Sequence, residues 1–189
     1  MAENKPRIFQ STKDIAMSLL VVCILMGASV AFTGMCSFNR GAPENGPVQK
    51  VDAKQMMQLE ARAMPFPVRL PESPEGWTTN SARRSSVNGQ PAPVVGWVTK
   101  NGAYLQLVQT NQPLEKALKD IDEHGRTEAG AVDVSGKQFK KLSSQEKNVR
   151  DVWAIDLGEV RLIFSGTCAD EEFRQLAENT LRAEPISKN

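Results

Sequence analysis

With 189 residues and 23 basic against 22 acidic side chains, the chain has room for one domain with a hydrophobic core, and its even charge argues against a nucleic-acid-binding face. A single histidine and three cysteines leave too few nitrogen and sulfur donors for a zinc cage. Cys23 and Cys36 fall in an apolar run, so only Cys168 belongs to the domain and a disulfide within it is excluded.

Residues 1–14 are a polar tail, and its Lys5, Arg7 and Lys13 against Glu3 and Asp14 account for the whole net charge of +1. Residues 15–36, IAMSLLVVCILMGASVAFTGMC, carry no charge. As a helix rising ~1.5 Å per residue the run covers ~33 Å, against a hydrocarbon core of ~30 Å, so one membrane crossing is expected. Ser29-Val30-Ala31 loosely fits a signal-peptide cleavage site, yet the apolar run continues through Phe32 and Met35, past the ~7–15 residues a signal needs. Met35 stands before Cys36 where a lipoprotein signal has a small residue. The expectation is an uncleaved anchor in the plasma membrane, N-terminus cytoplasmic and C-terminal domain outside, with Arg40 and Lys50 weakening the positive-inside bias. Gly27 and Ala31, four apart, lie on one side of the span and are the candidate contact for a second membrane helix.

Residues 37–50 read as a flexible stalk, with Gly, Pro and Asn and almost no apolar side chains. Residues 51–189 form the domain. It opens with a short helix over 51–64, capped by Asp52, with Met56, Leu59 and Ala63 as its apolar positions. Pro65, Pro67, Pro71 and Pro74 then exclude helix and central strand, leaving an extended run laid over the domain and fixed by Trp77.

A first strand is predicted over 81–87, turning at Asn88-Gly89. Asn101-Gly102 between two β-rich runs predicts a hairpin with a two-residue loop, placing Lys100 opposite Ala103, Val98 opposite Leu105 and Gly96 opposite Leu107. Pro113 opens a helix whose Leu114, Ala117, Leu118 and Ile121 share one face, with Gly125 as its stop. Residues 132–143 read as a polar strand region. A further hairpin turns at Gly158-Glu159, aligning Ile155 with Leu162, Trp153 with Phe164 and Asp156 with Arg161. The last helix, 170–183, buries Phe173, Leu176, Ala177, Thr180 and Leu181. This order gives the α+β class: an N-terminal transmembrane helix, then an antiparallel sheet with packed helices.

At FPVRLPESPEGWTTNSAR the chain resembles an actinobacterial family of uncharacterised single-pass membrane proteins, DUF4245-like. The span, the proline-rich lead into Gly76-Trp77, the Gly96/Tyr104 hairpin and the closing helix carry the resemblance. It implies a single-pass membrane protein and supplies no activity and no catalytic residues. More loosely, the element order is similar to the PsbP-like α/β sandwich, a likeness of fold alone.

No catalytic, cofactor-binding or metal-ligating residue is nominated, and no cofactor. His124 precedes Gly125 at a helix end, where a basic side chain suits the helix dipole, and no Gly-x-Ser-x-Gly elbow accompanies it. The acidic clusters Asp120/Asp122/Glu123 and Asp170/Glu171/Glu172 read as solvated helix faces. Trp77, Trp97, Trp153 and Tyr104 read as core. Arg83 and Arg84 are the candidate contact for lipid phosphate or an anionic polymer; their other reading is a charged edge strand that resists aggregation. The functional expectation is a non-enzymatic, membrane-anchored binding domain of the cell envelope, an accessory or assembly subunit of a membrane complex. The alternatives are a lipid- or envelope-ligand-binding protein and, behind it, a carboxylate-based envelope hydrolase.

Overall fold

The computed structural model describes residues 12–33, 48–121, 125–146 and 149–188. The chain divides into two compact units, Met1–Gly46 and Pro47–Asn189.

The described part of the first unit is one helix, α1 (Thr12–Thr33). It is long and apolar enough to cross a membrane, a test that a signal sequence near the N-terminus also passes. Ile15, Leu19, Val21, Ile24 and Leu25 are all exposed. Its two serine hydroxyls are satisfied within the helix: Ser18 donates to the Asp14 carbonyl at 2.6 Å and Ser29 to the Leu25 carbonyl at 2.8 Å.

The second unit runs α2 (Ala53–Ala63), β1 (Thr78–Val87), β2 (Gln90–Val98), β3 (Tyr104–Thr110), α3 (Leu114–Ile121), β4 (Thr127–Val134), β5 (Lys137–Ser143), β6 (Asp151–Asp156), β7 (Arg161–Gly166) and α4 (Asp170–Arg182). The strands form one antiparallel sheet in the order β1-β2-β3-β7-β6-β5-β4. An N-terminal apolar helix followed by an antiparallel sheet with packed helices is the α+β class.

One face of the sheet is thickly covered. α2, α4, the proline-rich run and the C-terminal residues pack there on Trp97, Leu105, Leu107, Phe139, Trp153, Leu162 and Phe164. The run is pinned by Gln109 of β3, whose side chain is fully buried. Its amide oxygen accepts from Arg69 N–H at 2.8 Å and its amide N–H donates to the Arg69 carbonyl at 2.7 Å. A buried amide with both ends used costs little, and with either end orphaned costs ~1–3 kcal/mol. On the run's other edge, Ile186 N–H donates to the Val68 carbonyl at 2.8 Å and Arg69 bridges Pro185. The prolines therefore shape the run, and Gln109 fixes where it lies.

Three expectations are corrected. The β2–β3 register is one residue off the predicted one: Trp97 opposes Leu105, Val95 opposes Leu107 and Gly96 opposes Gln106. The loop has three residues, Lys100 to Gly102, closed by Thr99 N–H donating to the Ala103 carbonyl at 2.8 Å. The two-residue turn belongs to Asn88-Gly89, whose φ values of 51° and 72° suit a type I′ hairpin. In α2, Leu59 is 59 % exposed and Ala63 also faces out; Ala53, Met57, Glu60 and Ala61 are buried instead. Asp52 does cap that helix, accepting from Lys54 N–H at 2.9 Å. The polar region at 132–143 is two strands, β4 and β5, joined at Ser135-Gly136.

The β6–β7 hairpin keeps the predicted register, with Asp156 opposite Arg161 and 2.9 Å between carboxylate and Nε, an ion pair whose N–H is not aimed as a hydrogen bond. Trp153, opposite Phe164, is fully buried and stacks on Phe173 of α4 with ring centroids 5.3 Å apart. Its indole N–H has no acceptor among the described residues. Trp153→Ala is expected to lower unfolding stability by ~3–5 kcal/mol, measured by urea denaturation. Trp153→Phe should cost much less, because it keeps most of the packing and removes the unpaired donor.

Candidate functional site

The second face of the sheet is covered differently. There Val87, Ala92, Val94, Val108, Val152, Ala154 and Ile163 form a smaller cluster, and α3 is the helix packed on it. Pro113 sets its first turn, with Ala117 N–H bonded to the Pro113 carbonyl at 2.9 Å. Leu114, Ala117, Leu118 and Ile121 then fall on the sheet side. Eight residues make a helix ~12 Å long and ~10 Å across, whereas seven strands ~4.8 Å apart span ~29 Å. Among the described residues, much of this face has no helix above it.

Beside α3, toward the β4 edge, the uncovered sheet forms a cleft of about 630 Å³. Its apolar lining is Leu118 and Ile121 from α3, Leu142 from β5 and Val152 from β6. Charges of both signs stand around it: Glu115 and Lys119 on α3, Arg126 and Glu128 at the start of β4, and Lys140 on β5. Arg126 is fixed there by donating from Nε and Nη2 to the Arg150 carbonyl, at 3.2 and 3.1 Å. Glu128 reaches the cleft through a bulge: the register shifts between Glu128 and Gly130, so Glu128 opposes Leu142 and shares its face. The size lies within the ~300–1,000 Å³ of small-molecule sites, and an apolar floor with a charged rim suits an amphipathic ligand.

At the other end of the same face, Tyr104 lies over Gly96. A Cβ at Gly96 would overlap the Tyr104 hydroxyl and Ser81 Oγ, so only glycine lets the ring lie flat there. Tyr104 donates its hydroxyl proton to Gln106 Oε1 at 3.2 Å, and the Arg150 guanidinium sits 4.8 Å from the Tyr104 ring centroid.

Arg83 and Arg84, adjacent on β1, point to opposite faces. Arg83 stands over the Tyr104 end, 3.4 Å from Gln106 Oε1. Arg84 turns toward α2, where Nε donates to both carboxylate oxygens of Glu60 at 2.9 and 3.1 Å. Glu60 is only 1 % exposed, so this bond supplies the counter-charge a buried carboxylate needs. The same bond, and Glu60's charge, hold the Arg84 guanidinium further toward its charged form. The two arginines therefore do not form one anion site. Gly27 lies on the open surface of α1, with nothing within 4 Å of a Cβ built on it, and Ala31 lies in the same helix. His124, Asp122 and Glu123 fall outside the described residues. Asp120 accepts from Asn88 N–H at 2.6 Å, Asp170 pairs with Lys141 at 2.5 Å, and Glu172 accepts from Ala169 N–H at 3.1 Å at the α4 N-terminus. Those acids are employed in the fold. Trp97 and Trp153 are core, and Trp77 is half-buried against it.

Cys168 is buried before α4. Burial first, then the charge of Glu172, pushes its thiol up to about 12, with smaller contributions from Asp151 and Asp170. At neutral pH it is a thiol, which lacks the nucleophilicity of a thiolate. Because the folded value lies above the unfolded one, ~8.5, the thiol's contribution to stability is whole below pH ~8.5 and is lost as pH rises toward 12. Between pH 9 and 11 the wild-type chain should therefore lose stability more steeply than Cys168→Ala. Iodoacetamide at pH 8 should label the Cys168 peptide only after urea unfolding; ready labelling of the folded chain would place the thiol at the surface.

A family model described as "Protein of unknown function (DUF4245)" matches residues 7–180. No curated protein and no solved structure matches the chain.

Proposed function

The chain belongs to this family, DUF4245, and on that premise we propose that it is a membrane-anchored binding domain working outside the cytoplasm without catalysis. Its ligand is an amphipathic component of the cell envelope, held between α3 and the sheet. The observation that carries this reading is the cleft: Leu118, Ile121, Leu142 and Val152 offer an apolar floor, and Lys119, Arg126, Lys140, Glu115 and Glu128 a rim that can meet a polar head of either sign. Supporting the non-enzymatic half, the acids Asp120, Asp170 and Glu172 are held in structural hydrogen bonds, and Cys168 is a buried thiol.

The anchor is α1, uncleaved, with the N-terminus in the cytoplasm; the uncharged run of residues 15–36 supports that reading over a removed signal by its length. The assembly-subunit reading rests on Gly27 and Ala31, two small residues four apart in the sequence of α1, a spacing that suits close approach of another helix. The cleft favours the ligand reading, since a subunit that works through its span has no need of a hollow beside α3.

Native mass spectrometry of the full chain, extracted from membranes in mild detergent, tests all three points at once. The expected spectrum shows an intact N-terminus and a bound amphipathic molecule that leaves chemically unchanged. Leu142→Arg, placed on the cleft floor at a part-exposed position, should abolish the bound mass while circular dichroism stays the same. A ligand-free chain that instead brings down the same membrane proteins, and loses them in Gly27→Leu/Ala31→Leu, would replace this reading with the assembly one. A chain beginning at Phe32 would refute the anchor.

A further inference from the structure

On the thickly covered face, opposite the cleft, three cations from distant stretches of the chain converge on one hollow of about 450 Å³. Arg69 comes from the proline-rich run, Lys137 from the start of β5 and Arg182 from the end of α4. Ser135 adds a hydroxyl, and Leu157 and Leu181 supply apolar wall. No acidic side chain lines it among the described residues.

The arrangement is built, and its charges are unspent. Gln109 holds the Arg69 backbone through two hydrogen bonds, so the point from which this side chain starts is set by the core. Arg69 Nη1 donates to the Ala183 carbonyl, while Nε is buried and without a partner among the described residues. Arg182 gives one bond, from Nη2 to Asn179 Oδ1 at 2.6 Å, and no ion pair is formed by Arg69, Lys137 or Arg182 among the described residues. The nearest acid along β4, Asp133, is occupied on the far side of the hairpin, accepting from Gly136 N–H and Gln138 Nε2 at 3.1 and 3.0 Å. Glu72 and Glu184 line the neighbouring cleft on the other side of Arg182.

We propose that this hollow binds a phosphate ester. Three like charges around one small cavity repel one another, and an anion entering it relieves that repulsion. The guanidinium N–H groups that Arg69 and Arg182 keep beyond those bonds, with the Lys137 ammonium, match the several oxygens of a phosphate, where a single carboxylate would leave donors idle. Leu157 and Leu181 favour an ester with a carbon skeleton over the bare ion. The phosphate belongs either to a soluble metabolite or to a lipid headgroup. This site shares no residue with the cleft beside α3, and the two proposals stand or fall separately.

The test is a titration of the full chain in a maltoside detergent with inorganic phosphate, glycerol 3-phosphate and dihexanoyl phosphatidylglycerol, followed by the side-chain Nε–H resonance of Arg69. Glycerol 3-phosphate is expected to shift that resonance and to bind more tightly than inorganic phosphate. Lys137→Gln/Arg182→Gln, which changes two exposed heads, should weaken binding by at least about tenfold with the fold unchanged by circular dichroism. Saturation by glycerol 3-phosphate assigns a soluble ester, and a response to the phosphatidylglycerol alone assigns a headgroup; either supports the site. An Arg69 resonance unmoved by all three probes at about 10 mM, or a double variant that binds like wild type, overturns it.

Discussion

A seven-stranded sheet has two faces to cover, and among the described residues the helices cover them unequally. α2, α4, the proline-rich run and the C-terminal residues are all spent on the face bearing Trp97, Trp153 and Phe164. The other face has α3, whose eight residues cannot reach across ~29 Å of strands. The unequal cover is the constraint from which the rest follows. It gives one side a thick layer of helices and extended chain, and leaves the other with a hollow beside its one short helix.

The packed side depends on polar groups as much as on apolar ones. Gln109 is as buried as the aromatics around it, and its amide spends both ends on the Arg69 backbone. Glu60 is buried in the α2 interface and is answered by Arg84 from β1. Each such group is expensive if misplaced, so each admits one docking of its segment: Gln109 for the run, Glu60 for α2. The run in turn presents Arg69 beside Lys137 and Arg182, which is how a structural clamp in the core comes to hold a cation at the surface.

How much of this was legible in the sequence depended on whether the two faces of an element differ. In the β6–β7 hairpin, alternation and the Asp156–Arg161 pair pointed to one register, and that register is present. In β2–β3, Val94, Val95, Leu105, Leu107 and Val108 are buried on both faces, so the pattern is nearly unchanged by a one-residue slip and the loop decided instead. In α2, the neighbours Met56 and Met57 support two different stripes, and the choice between them is made by Glu60, a residue any hydropathy pattern counts as exposed. The helix α3 was readable because Leu114, Ala117, Leu118 and Ile121 share one face. The cleft beside it was not. Its residues span α3 to β6, β4 is nearly all exposed, and Glu128 is aimed by a bulge that no motif announces. The Arg69, Lys137 and Arg182 site was hidden for the same reason, since only the packing of the run brings the first of them to the other two.

The family description gives no activity, so the account rests on the unequal faces of the sheet and on what each leaves open. Its central claim is that the thinly covered face is where the domain meets its ligand. Amide hydrogen exchange on the full chain answers this most directly, comparing protein extracted with its native envelope lipids to protein stripped of them by extensive detergent exchange. The predicted result is lost protection after stripping in α3, β5 and β6, with α2 and the core of α4 unchanged. Equal protection in both preparations, or a change confined to α2 and α4, would contradict the account.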